Sequence, residues 1–195
     1  MLTHMNIPVA SAAPVAPTVT IRRPTAPPAP EQSAPTFTLD GSIAGKHVGF
    51  RADHAWRSWQ FIAQLWAERL AAMGATSELV ITDGQVGDAG EQDRKEVERL
   101  AATSDVLMVG LGTCGSCTSF TIADAVTIEE HEKPVIALVC DEFATHGANM
   151  ARHLGHGDLK ILVMPYPLEA RPEDELRAIA DDYFPKALEL LGVQA

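Results

Sequence analysis

The chain has 195 residues, 46% of them hydrophobic, and a formal net charge of −11, enough apolar material for one α/β domain with a substantial core. Residues 1–40 hold Arg22, Arg23, Glu31 and Asp40 and sum to zero, so the acidity belongs to residues 41–195. A domain that acidic has no basic face to neutralise phosphates, which excludes nucleic acid and an anionic membrane surface as partners; no apolar run reaches the length of a spanning helix.

Eight of the thirteen prolines lie in residues 1–40. That stretch cannot form helix or central strand and reads as an extended, polyproline-prone arm. It lacks a charged n-region, and Pro8, Pro14 and Pro17 break any apolar core of a signal peptide. Its composition suits a disordered tail, or an arm pinned by a neighbouring subunit in a homo- or hetero-oligomer. Residues 41–195 form the single domain. Three cysteines, two of them close together, make no disulfide framework and fit a reducing cytoplasm.

From Lys46 the pattern alternates. A strand, Lys46–Phe50, ends in Arg51-Ala52-Asp53-His54; a helix follows with Trp56, Trp59, Ile62, Ala63, Trp66, Leu70 and Met73 on one wide face, stopped by Gly74. The second strand is Glu78–Thr82, and a charged helix spans Glu91–Ala102. The third strand, Asp105–Gly110, leads through Gly-Leu-Gly-Thr into Cys114-Gly115-Ser116-Cys117 and a helix over Thr118–Glu130. Lys133–Cys140 is a fourth, buried strand followed by Asp141-Glu142 and a short helix, Ala144–Leu154. Leu159–Met164 is the fifth strand. The last helix starts at Pro172 with three acidic residues in its first turn, and Pro185 is expected to kink it.

Five continuous apolar strands alternating with helices predict a three-layer, doubly wound parallel sheet, flavodoxin- or Rossmann-like, in the order 2-1-3-4-5. In such folds a small-molecule ligand binds outside the carboxyl ends of the strands, where strands 1 and 3 adjoin. The loops there carry Cys114 and Cys117, then Arg51, Asp53 and His54, then Asp141 and Glu142, and finally Tyr166.

The two thiols sit one turn apart at a helix N-terminus, where free N–H groups and the dipole favour thiolate. Three readings compete. A nucleophile–resolver pair would have Cys114 attack and Cys117 close a disulfide. A metal site would need two further ligands from Cys140, His146 or His153, and no second half-site is present. Two buried structural thiols are the plain alternative, and Cys140 at the end of a buried strand reads as core. Thioredoxin topology is disfavoured, because the pair follows the third strand of an all-alternating pattern. Gly110, Gly112 and Gly115 match G-x-G-x-x-G only formally, so no cofactor is implied. Backbone N–H groups of Gly115, Ser116, Cys117 and Thr118 are candidates to hold developing negative charge. Asp53, His54, Asp141 or Glu142 are candidates to move protons, with Arg51 and Tyr166 as further substrate contacts. Asp53 suits a helix cap equally well, and His146, His153 and His156 read as surface or capping residues.

The segment Gly112–Glu130, with Thr-Cys-Gly-Ser-Cys-Thr at its head, resembles the UGSC family, whose members carry selenocysteine-Gly-Ser-Cys or Cys-Gly-Ser-Cys. More distantly it is similar to the selenocysteine site of the B subunits of glycine and proline reductases, which cleave C–N bonds reductively. The resemblance implies that Cys114 stands in the selenocysteine position as nucleophile or redox atom and Cys117 in the resolving position. The expected activity is a reductase-like thiol enzyme. A cofactor-free lyase or hydrolase, a thiol sensor, or a subunit of a heteromeric enzyme remain the alternatives.

Overall fold

The structure, a computed structural model, describes residues 30, 32–39, 41–83 and 86–193. Its elements run β1 (His47–Asp53), α1 (Arg57–Ala72), β2 (Thr76–Thr82), α2 (Gly87–Thr103), β3 (Val106–Gly112), α3 (Gly115–Glu130), β4 (Val135–Cys140), α4 (Asp141–His153), β5 (Ile161–Met164) and α5 (Glu173–Leu191). All neighbouring strands pair in parallel, in the order β2-β1-β3-β4-β5. The predicted α/β class and strand order are those observed.

Alternation along each strand sorts residues to two faces. Val48, Phe50 and Ala52 of β1, with Met108, Leu138 and Met164, bury against α1 and α5. Leu107, Val109, Ala137 and Val139 bury against α2, α3 and α4. The first face is organised by aromatic rings at edge-on or tilted angles, Phe50 to Trp59 (6.1 Å), Trp59 to Trp66 (5.5 Å) and Trp66 to Phe184 (5.8 Å). Trp59 and Trp66 therefore form core, as their helical spacing predicts, and half-buried Trp56 packs against it. Each buried indole N–H has an acceptor: Trp59 donates to the Arg51 carbonyl and Trp66 to that of Ala180, both at 2.9 Å.

Several element limits differ from the sequence reading. β1 continues past Phe50 to Asp53, because its pairing with β2 runs on through Arg51↔Val80 and Asp53↔Thr82. α4 begins at Asp141, so Asp141 and Glu142 are its first turn, where carboxylates complement the helix dipole. α5 runs through Pro185 without ending, and the Ala180 carbonyl in the preceding turn accepts from both Trp66 and Arg69.

Most of the proline-rich segment (1–29, 31 and 40) lies outside the described residues. The described part lies along its own chain. Ala34 N–H donates to the Gly155 carbonyl at 2.7 Å, Leu39 N–H to Leu191 at 2.8 Å, and the Lys160 ammonium to the Phe37 carbonyl at 2.9 Å. Among the described residues, no helix is long and apolar enough to cross a membrane.

Candidate functional site

The cysteine turn is shaped by a close approach of β3 to the helix that follows it. A Cβ on Gly112 would lie 2.9 Å from Thr118 Oγ1 and 3.1 Å from Thr118 Cα, so only glycine lets α3 begin directly above the strand end. Thr118 is fully buried, and its hydroxyl donates to the Cys114 carbonyl at 2.7 Å. Its side chain therefore holds the turn from below.

Cys114 is the N-cap of α3, in extended conformation, and its sulfur accepts the Cys117 backbone N–H at 3.1 Å. Cys114 and Cys117 are joined as a disulfide. A disulfide sulfur carries no proton, so the Ser116 hydroxyl is the donor in its 3.5 Å contact with Cys114 Sγ. Cys114 is half-buried, Cys117 is buried, and Gly115 and Ser116 are exposed.

His146 reaches this turn from α4. Its Nε2 lies 3.1 Å from both the Gly115 carbonyl and Ser119 Oγ. A carbonyl only accepts, so Nε2–H donates to Gly115 and the imidazole braces the middle of the motif. From sequence His146 reads as a surface or capping residue. The available signal was topological: β3 and β4 are neighbours, so the helices that follow them pack side by side.

The remaining candidates spread along the carboxyl edge of the sheet. Asp53 Oδ1 accepts the Ala55 N–H at 2.8 Å, an Asx turn that starts the β1–α1 connection. Gln60 Nε2 pins the same corner through the carbonyls of Asp53 and His54. His54 is exposed and faces Asp83 beyond β2, with Nδ1 3.4 Å from its carboxylate. Asp141 and Glu142 are exposed on α4, where Asp141 Oδ1 accepts the Glu142 N–H. Tyr166 is exposed and stacks edge-on against Phe143 at 5.9 Å.

Arg51 lies in β1 and not in the loop beyond it, pointing into the sheet face covered by α2 and α3. It is 3% exposed; Nη1 donates to the Gly110 carbonyl at 3.2 Å and Nε lies 2.8 Å from Asp124 Oδ2. Burial pushes the Asp124 carboxyl up, Arg51 beside it pulls it down, and Asp93 and Asp53 push it up further. Asp124 was not visible as a site residue, because within its helix it reads as an ordinary surface carboxylate.

Cys140, the third cysteine, is fully buried. Burial pushes its thiol up, against hydrogen bonds with the Thr113 side chain and the Leu168 backbone. It is a core thiol. His153 and the buried His156–Glu129 pair (2.8 Å) lie toward the other end of α4 and beyond. Among the described residues, no group of three or more His, Cys, Asp or Glu side chains is placed to hold a metal ion.

Fold and turn together define a class: a doubly wound α/β domain whose two-cysteine turn opens the helix after the central strand. The chain belongs to the UGSC family, whose profile matches residues 20–193 and so takes in part of the proline-rich segment. No curated protein matches it. Among solved structures, the B subunit of dipicolinate synthase from Bacillus halodurans is similar at 20% identity, with 72% of this chain and 93% of that chain covered and a TM-score of 0.40. At that level the likeness carries no functional argument.

Proposed function

We propose that this protein is a thiol-dependent, reductase-like enzyme in which Cys114 attacks a small electrophilic substrate and Cys117 resolves the adduct. The observation that carries the reading is the Cys117 N–H aimed at the Cys114 sulfur, at the N-terminus of a 16-residue helix. That arrangement raises the thiolate fraction of Cys114 near neutral pH and leaves Cys117 as the second thiol.

The step balances as a two-electron reduction of a bond X–Y. Cys114 thiolate forms an S–X bond while Y leaves with its electron pair and takes a proton. Cys117 thiolate then attacks the Cys114 sulfur, forming the disulfide, and X leaves with the S–X pair and takes the second proton. X must therefore bear that pair well, as a heteroatom or a carbon next to a carbonyl does. An external dithiol regenerates the pair by exchange. The free N–H groups of the first α3 turn stabilise charge on the departing group, and Asp53, His54, Asp141 and Glu142 at the same sheet edge are the proton carriers proposed.

The test is intact-mass analysis of the reduced chain with candidate electrophiles. One adduct is expected on Cys114, converting to disulfide and released product, and none in Cys114→Ala. An adduct that persists in Cys114→Ala contradicts the proposal. A second reading, a thiol-redox subunit of a heteromeric enzyme working in an oligomer, is favoured by the exposure of Gly115 and Ser116, which leaves the turn beside half-buried Cys114 open to a partner. It predicts reversible disulfide formation without turnover by the purified chain alone.

A further inference from the structure

We propose that the cavity between α2 and α3 is a recognition pocket for the carboxylate of a small organic acid, with Arg51 and Arg94 as its anion-binding residues. The proposal deepens the thiol-enzyme reading and rests on it for the use made of the pocket.

The cavity, about 170 Å³, is lined chiefly by Arg51, Asp93, Arg94, Phe120, Ala123 and Asp124. It has room for about six water-sized groups, a small molecule and not a nucleotide. At its floor lies a guanidinium almost wholly withdrawn from water, which is costly unless its donors are used. They are used incompletely. Arg51 Nε is close to Asp124 Oδ2 but out of line with it, so this buried donor makes no hydrogen bond.

Each carboxylate nearby already has a partner. Asp93 accepts the Asp83 N–H at 3.1 Å and Asp53 accepts that of Ala55. Burial pushes the Asp124 carboxyl up while the charges of Arg51 and Arg94 pull it down, and Asp124 stays beside Arg51 as its counter-ion. Arg94 is exposed and lies near enough to Asp124 for its charge to pull that carboxyl down. The cations at the cavity are two guanidiniums, whose fork matches a carboxylate, beside an apolar wall of Phe120 and Ala123.

The pocket lies further along α3, the helix that the thiols open. Phe120 and Asp124 follow Cys117 at i+3 and i+7 on one face of the helix. At about 1.5 Å rise per residue, they lie roughly 4.5 and 10.5 Å further along its axis. A short acid with its carboxylate at the guanidiniums would lay its chain over Phe120 toward the cysteine turn. The overall charge of −11 gives no long-range attraction for an anion, so affinity rests on these short-range contacts and should be sensitive to either arginine.

The experiment titrates the full-length oxidised chain with propionate, propionamide and propylamine, matched in size and different in charge, and follows backbone amide NMR shifts. Propionate should saturate shifts in residues 90–94 and 120–124, with the amide and the amine at least about tenfold weaker. Arg94→Gln, a surface change, should weaken propionate by about the same factor. Equal or tighter binding of propionamide or propylamine, no saturable response to propionate, or an unchanged Arg94→Gln would each overturn the proposal. Iodoacetamide labelling of the reduced chain separates the two readings. Fast labelling of Cys114 without propionate binding sinks the pocket alone, whereas charge-selective binding with an inert Cys114 upholds the pocket and sinks the thiol reading.

Discussion

Gly112 and Thr118 meet so closely that no side chain fits between them, with a Cβ on Gly112 placed 2.9 Å from Thr118 Oγ1. Gly112→Ala must displace either the strand end or the first turn of α3. Overpacking of this kind costs about 1–3 kcal/mol. The variant should unfold at lower urea, and its reduced Cys114 should be alkylated more slowly than wild type because the N-cap geometry is lost. Unchanged urea midpoint and labelling rate would show that the turn absorbs the methyl group.

Thr118 carries the other half of that relationship through its hydroxyl, which holds the Cys114 carbonyl at 2.7 Å. Thr118→Val keeps the shape and removes the donor, which should cost about 1 kcal/mol in equilibrium unfolding. Thr118→Ser, which keeps the hydroxyl, should retain more of the reactivity of Cys114 than the valine variant.

His146→Ala removes the Nε2–H donor from the Gly115 carbonyl, leaving Ser119, 3.1 Å away, as that carbonyl's side-chain partner. The expected loss is about 1 kcal/mol. Amide hydrogen exchange should accelerate in residues 115–119 ahead of the rest of α3. Exchange that rises evenly over the whole helix would mean that His146 acts on general packing and not on the turn.

Glu129 sets a pH dependence. Burial pushes its carboxyl above the ordinary value of 4.5, and the bond to His156 pulls it back only partly. The folded chain thus binds this proton more tightly than the unfolded chain, so folding takes up protons. The Glu129 contribution is full below pH 4.5 and is lost as pH rises through the higher folded value. Urea unfolding at a series of pH values should show wild type losing stability relative to Glu129→Gln across that window. A difference that is flat, or that grows in favour of wild type as pH rises, would contradict the assignment.

The architecture was legible because its signals are local. Apolar runs such as Val135–Cys140, stopped helices such as the one ending before Gly74, and strict alternation define a parallel sheet without knowledge of any long-range contact. The cysteine turn was legible for the same reason, since strand, glycines, thiols and helix follow one another in the chain. Arg51 was misplaced into a loop because a charged residue at a strand end reads as solvent-facing. Asp124 and the Gly110 carbonyl, both far along the sequence, make its burial tolerable. Asp141 and Glu142 read as loop because the helix boundary depends on the cap geometry of Cys140, which propensity does not encode. His146 belongs to the site through the packing of α4 on α3, a contact that no single helix displays.

The central claim is that Cys114 is the activated thiol. Its most direct test is the pH profile of iodoacetamide alkylation in the reduced Cys117→Ser chain, read residue by residue by peptide mass spectrometry. Serine preserves the backbone N–H at position 117 and removes the competing thiol. The midpoint for Cys114 should fall well below the free-cysteine value of about 8.5, with buried Cys140 unlabelled over the same time. A midpoint at or above that value would contradict the claim.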